Sequence, residues 1–251
     1  MNRVSFSRPI ALLFFLWFCL LFCLNAFRPV HAELLGMVPG RGADVARFAN
    51  KSVEVGVSRY SDQLQWSVLR YNFKPVKRLA IYVDFSYVES FNLPLDSSQV
   101  ADFAGTGYGG GLIFSIPEKL NRFDVAFKGT FHQSKSGGQV NKLPGASNAQ
   151  QEHLELDQSQ WSAGFVLSPI DPLYENGFSW FANLSYVRAQ ARTERIGASP
   201  LRYSTMVPYR GDSGMATGIG VVQPYKRGSV FAGVDWLSDN ALLSAGYRYV
   251  F

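Results

Sequence analysis

From residue 51 onward the chain alternates apolar with small or polar side chains at a period of two. Leu79, Ile81, Val83, Phe85 and Tyr87 are interleaved with Ala80, Tyr82, Asp84 and Ser86. Phe123, Val125, Phe127, Gly129 and Phe131 are interleaved with Asp124, Ala126, Lys128, Thr130 and His132. The same holds for Trp161, Ala163, Phe165 and Leu167 with Ser162, Gly164 and Ser168 between them. Successive side chains on a strand point to opposite faces, so each segment has one apolar face and one small or polar face. Ten such segments are predicted, over residues 52–61, 63–74, 78–89, 106–117, 122–134, 160–169, 177–191, 214–224, 229–238 and 241–251. Most run about 9 to 13 residues, the length a tilted strand needs to cross a bilayer. Strands of soluble sheets are usually nearer five or six residues.

The connections add a second argument. Counting from a first strand that runs outward, the turns on the inner side are 74–77, 116–121, 169–177 and 224–228, each short and each holding a proline. On the outer side the stretches 89–105, 135–159 and 192–213 are long and polar, and the pattern predicts them as loops. Short inner turns and long outer loops are the asymmetry of outer-membrane barrels. Both ends of such a barrel lie on the inner side, which requires an even strand number. The expected fold is therefore all-β: a transmembrane antiparallel up-and-down β-barrel of ten strands over 51–251, with eight as the alternative count.

The second segment shifts phase. Leu64, Trp66 and Val68 share one face, then Leu69, Tyr71 and Phe73 share the other, and a β-bulge near there would reconcile them. A charge on the lipid face near mid-membrane costs roughly 2–4 kcal/mol, so polar alternates should face the lumen. This assigns Glu54, Asp84, Asp124, Lys128, Asn183, Asp235 and Arg248 to the interior, with glycines such as Gly109, Gly111, Gly218 and Gly246 among them. A narrow barrel with these side chains inside is expected to be filled, with at most a thin water path. Trp66, Tyr87, Tyr108, Trp161, Phe178, Trp180, Tyr186, Trp236 and Tyr247 fall near strand ends, where interfacial aromatic girdles belong.

The first 32 residues are of another kind. Arg3 and Arg8 are followed by an apolar run from Ile10 to Leu24 and by Val30-His31-Ala32. That is the layout of a secretory signal peptide with cleavage after Ala32. Residues 33–50 would then be a short periplasmic segment. Both cysteines, Cys19 and Cys23, fall in the signal, so the mature chain has no disulfide, thiol nucleophile or thiolate metal site. The formal charge of +5 also changes: 24 basic residues less Arg3, Arg8 and Arg28 leave 21 against 19 acidic, or +2. The charge gives no reason to expect nucleic-acid binding.

The last eight residues, Ser244-Ala245-Gly246-Tyr247-Arg248-Tyr249-Val250-Phe251, read polar-x-Gly-x-x-aromatic-x-aromatic. This resembles the C-terminal assembly signal of outer-membrane β-barrel proteins of the small-barrel superfamily, which includes opacity-type and OmpA-like surface proteins. The resemblance implies that Gly246, Tyr249 and Phe251 are recognised by the barrel-assembly machinery through strand pairing. It also implies an outer-membrane location in contact with lipid and lipopolysaccharide. An exposed strand edge is suited to such addition.

Candidate chemistry is sparse. His132 and Ser134 have the His-x-Ser spacing of lipid A deacylases and lie on one face of a strand, as a base and a nucleophile must. The family's motif continues differently after the Ser, however, and its pair faces lipid. Outer-membrane proteases of ten strands use an Asp/His constellation at the outer rim; His153 with Glu152, Glu155 and Asp157 lacks the paired aspartates. Gly105-x-Gly107 is followed by no Lys-Ser/Thr pair and no helix, so it is not a phosphate loop. No cofactor or metal is expected. The expectation is a non-enzymatic surface protein with long polar outer loops that serve adhesion, binding of an external partner or a structural role. A narrow channel is the first alternative and a lipid A-modifying enzyme using His132 and Ser134 the second. A folded barrel should migrate differently on a denaturing gel when left unheated. Unchanged mobility, with the protein in the soluble periplasm, would contradict the membrane assignment.

Overall fold

The computed structural model describes residues 50–60, 64–96, 99–117, 120, 122–142, 152–175, 177–197, 204–208, 212–237 and 240–251. The expected signal peptide, and the expected periplasmic segment up to residue 49, lie outside them. The strands are β1 (Lys51–Tyr60), β2 (Leu64–Val76), β3 (Leu79–Asp96), β4 (Gln99–Ser115), β5 (Phe123–Lys142) and β6 (Glu152–Pro169). They continue with β7 (Ser179–Gly197), β8 (Ser204–Pro208), β9 (Asp212–Tyr225), β10 (Gly228–Leu237) and β11 (Asn240–Val250). Each pairs antiparallel with its chain neighbours, β7 passes directly to β9, and β11 returns to β1 from Ser52↔Val250 to Tyr60↔Leu242. The result is a closed ten-strand barrel, as the alternation predicts. The extra strand, β8, pairs only with the outer part of β7, at Arg192–Ile196.

The short inner turns are present. Lys77-Arg78 joins β2 to β3, and Lys226-Arg227 joins β9 to β10 with Lys226 at φ 52°. The outer side differs from expectation. The stretches 89–105, 135–159 and 192–213 are not loops over most of their length; strands β3 to β7 run through them and reach 17 to 20 residues. The other wall strands have 10 to 14 residues. The apolar alternation ends where the strands leave lipid, because there the outer face meets water. Backbone pairing needs no apolar face and continues. One side of the barrel therefore rises well above the other.

The predicted bulge in the second segment is also absent. β2 keeps unbroken register with both neighbours from Leu64 to Phe73, and the shift occurs later, between Phe73 and Val76. The phase change has another cause: the interior is apolar at its outer end. Trp66 and Val68 point inward, 1% and 5% exposed, while Leu69 and Tyr71 point outward. Trp66 therefore belongs to the lumen and not to an aromatic girdle.

Val55, Val57, Leu69, Val83, Phe85, Leu112, Phe127, Ile219, Val230 and Leu243 are all well exposed on the outer surface. An apolar outer surface of this extent on a closed barrel fits contact with hydrocarbon. Tyr87, Tyr108, Trp161 and Trp236 are exposed toward the outer end of that band, and Trp161 packs on Tyr186 with ring centroids 5.6 Å apart. Placing a charge on this face tests it directly. Phe85→Arg should lower unfolding stability in lipid by about 2–4 kcal/mol. Denaturant titration of the reconstituted protein measures this; no loss of stability would mean that Phe85 does not face lipid.

Candidate functional site

The polar side chains converge inside the barrel, where cross-strand register sets which residues meet. One row runs Arg248, Glu54, Arg70, Asp84, Gly109, His132 and Gln160, on β11, β1, β2, β3, β4, β5 and β6. Outer-membrane strands tilt by about 35–45°, so a row across them climbs as it goes round the wall. This one starts near the inner end of β11 and ends well up β5 and β6.

The contacts along the row alternate in charge. Arg248 Nε donates to Glu54 Oε1 at 2.7 Å, and Arg70 Nη1 lies 3.7 Å from Glu54 Oε2. Arg70 Nε and Nη2 both donate to Asp84 Oδ2, at 3.1 and 2.9 Å. Asp84 Oδ1 faces His132 Nδ1 at 3.2 Å. The Arg70 guanidinium also lies over the Tyr82 ring, 4.0 Å from its centroid. Glu54, Arg70, Asp84 and His132 are all 4% exposed or less. Burying charges so deeply is tolerated only when they are paired and hydrogen-bonded.

Glycine makes the reach across β4 possible. Gly109 sits between Asp84 and His132 in register, and a Cβ there would collide with the His132 ring and the Phe131 carbonyl oxygen. A second pair uses the same device. Asn183 on β7 donates to Asp235 on β10 at 2.8 Å across Gly218 of β9, whose Cβ would fall on the Asp235 carboxylate. The small residue on the middle strand is a condition for either contact.

Apolar layers lie on either side of the polar zone. Toward the inner end, Ala80, Ile113, Ala126, Val166 and Phe181 form a buried cluster with Val222 against it. Toward the outer end, Trp66, Val88, Phe103, Leu154, Leu156 and Leu242 are buried on the inward face. Buried side chains thus line the interior along its height among the described residues.

The residues singled out from sequence are placed as follows. Glu54, Asp84, Lys128, Asn183 and Asp235 are buried inside, Arg248 is half-buried in the ion-pair row, and Asp124 is half-buried near the inner end of β5. His132 and Ser134 are 4% and 5% exposed, on the inward face of β5. His132 faces Asp84, and the Ser134 hydroxyl donates to Gln158 at 3.3 Å, so each is engaged with a different partner. Gly246 packs inward near Phe231, while Tyr249 and Phe251 are exposed outside with ring centroids 5.3 Å apart. His153 and Glu155 are exposed on the outer face of β6, and no group of three or more potential metal ligands occurs among the described residues. Arg70, at the centre of the row, is missing from the sequence assignment. The signal for it was the opposite face of its strand: Leu69 and Tyr71 flank it, which commits Arg70 to the lumen.

No family model and no curated protein sequence matches the chain. Solved structures do. The translocator domain of autotransporter NalP from Neisseria meningitidis matches with a TM-score of 0.52 at 10% identity, covering 82% of this chain and 90% of its own. A major outer membrane protein from Thermus thermophilus matches at 0.44 and 14% identity, over 81% and 100%. The outer membrane protease OmpT from Escherichia coli matches at 0.44 and 10%, over 81% and 94%. The likeness shows the fold: this chain is a closed ten-strand antiparallel β-barrel of the kind found in outer-membrane proteins, with an apolar outer surface. At these identities the likeness extends to the fold and to no particular member.

The ion-pair row predicts an asymmetry in mutant stabilities. Arg70→Met leaves two buried carboxylates short of a cation and should destabilise by about 3–5 kcal/mol. Adding Asp84→Leu should recover a substantial part of that loss. Denaturant midpoints of the single and double variants measure both; additive losses would contradict the pairing.

Proposed function

We propose that this protein is a non-conducting, non-enzymatic surface barrel whose working part is the tall side of its wall. The carrying observation is the difference in strand length. Crossing the bilayer takes about 9–11 residues, whereas β3 to β7 have 17 to 20. The surplus extends the wall beyond the membrane by roughly 20 Å, at about 3.3 Å per residue with allowance for tilt.

This extension is paired sheet. Its outward face carries Asp102, Lys135, Gln139, His153, Glu155 and Arg192, all exposed. Lys135 and Asp157 lie 3.5 Å apart across β5 and β6. A rigid, charged and hydrogen-bonding sheet face binds a partner with less ordering entropy than a flexible loop. An external ligand bound there is the best use of such a surface.

The buried side chains that line the interior support the absence of conduction. The buried ion-pair row and the apolar layers on both sides of it oppose a continuous water path. Against enzymatic use of His132 and Ser134, both side chains are buried, each with another partner, and both face away from lipid. Planar-bilayer recording tests the main reading: the purified protein should give a closed trace at all voltages. Discrete, reproducible conductance steps would favour a narrow channel instead. Lipid A from expressing cells should show unchanged acylation; a change abolished by Ser134→Ala would establish an enzyme.

A further inference from the structure

The inner rim of the barrel carries an uneven charge. Going round it from β9 to β5, the described residues present Lys226 and Arg227, then Lys51, then Lys77 and Arg78, then Arg122, all exposed. The strand order makes these four positions consecutive on the rim. Successive positions are two strands apart, or about 10 Å at a strand spacing near 4.8 Å. Outside the lumen, the acidic side chains described at this end are Asp171 and Glu175, both on the β6–β7 connection across the barrel.

The neighbours of these cations are apolar. Val76, Tyr225, Tyr249 and Phe251 are 58%, 52%, 38% and 73% exposed between them. The Lys226 ammonium lies over the Tyr225 ring, 5.1 Å from its centroid. Exposed aromatic and aliphatic side chains interleaved with Lys and Arg belong at the level of lipid headgroups. A site for a soluble polyanion would not need that exposed apolar surface. Anionic headgroups attract basic residues close to the bilayer by roughly 1 kcal/mol each.

We propose that the arc formed by Lys51, Lys77, Arg78, Arg122, Lys226 and Arg227 binds anionic phospholipid headgroups of the inner leaflet. It gives the barrel an annulus enriched in acidic lipid on that side and depleted of it beside Asp171 and Glu175. The phosphate and its negative charge are what the cations recognise. The apolar residues between them select a membrane-bound phosphate over a free one.

Native mass spectrometry of the full-length barrel in detergent tests this, with phosphatidylglycerol and phosphatidylethanolamine added in equal amounts. Wild type should retain phosphatidylglycerol in clear preference. Lys77→Gln with Arg78→Gln, and separately Lys226→Gln with Arg227→Gln, should each reduce that preference. Combining the four substitutions should bring retention of the two lipids close to equal. Arg188→Gln, at the opposite end, should leave it unchanged. Mobility of unheated samples on gels reports folding of each variant. If the fourfold variant does not fold, the two paired variants and the wild-type lipid comparison decide the matter. Equal retention of both lipids by wild type would overturn the proposal. So would a preference that survives the paired substitutions or falls equally with Arg188→Gln. Displacement of the lipid by excess inorganic phosphate would mean a soluble-anion site and would also overturn it.

Discussion

The whole structure depends on one constraint: in hydrocarbon there is no water to satisfy a backbone N–H or C=O. Every strand must therefore pair on both sides, and the pairing of β1 with β11 meets that requirement at the seam. The seam runs nearly the full length of both strands, with nine residue pairs in register. Once the sheet closes, alternation sorts side chains automatically. Within the bilayer the odd-numbered positions of β3 meet lipid and the even-numbered ones enter the lumen, as Phe85 and Asp84 illustrate. The inner turns are short because adjacent strands end together there, and Pro75, Pro169 and Pro224 lie at the inner ends of β2, β6 and β9.

The interior follows from the same closure. A ten-strand wall leaves too little room for large side chains on every strand, so large and small must alternate around it. Gly109 and Gly218 show the consequence. Each lets two polar side chains on flanking strands meet across it, and each ties non-adjacent strands together beyond the backbone ladder. Because the ion-pair row climbs the wall, it links strands from β11 to β5 at different depths. Breaking it leaves charges stranded in a low-dielectric space, which makes the row a determinant of register as well as of stability.

Much of this is legible in the sequence. Val83 to Tyr87 and Phe123 to Phe131 declare their faces plainly, because lipid permits only apolar side chains outside and the lumen accepts polar ones. The lumenal charges followed from the same rule. The failures have physical causes. In β2 the rule broke at Trp66 and Val68, since a lumen is free to be apolar and an inward Trp resembles an interfacial one. That ambiguity hid Arg70. The outer halves of β3 to β7 were unreadable as strands because a sheet in water on its outer face needs no alternation, so Lys135, Gly137 and Gln139 look like a loop. The meeting of His132 with Asp84 depends on three strands being in register, which no local pattern reports.

The tall side and the short side divide the barrel's tasks. The seam strands β10, β11, β1 and β2 barely exceed the membrane, while β3 to β7 carry the wall outward. The alternation of β3 implies an exterior that faces lipid around an interior lined by buried side chains. Cysteine scanning of β3 tests it most directly, since residues 51–251 contain no cysteine. Spin labels at residues 82 to 87 of the reconstituted protein should alternate. Labels at Val83, Phe85 and Tyr87 should be relaxed by oxygen dissolved in lipid, and labels at Tyr82, Asp84 and Ser86 should be shielded from both oxygen and a water-soluble nickel complex. Nickel access at the even positions would reveal an open lumen, and loss of the alternation would contradict the barrel itself.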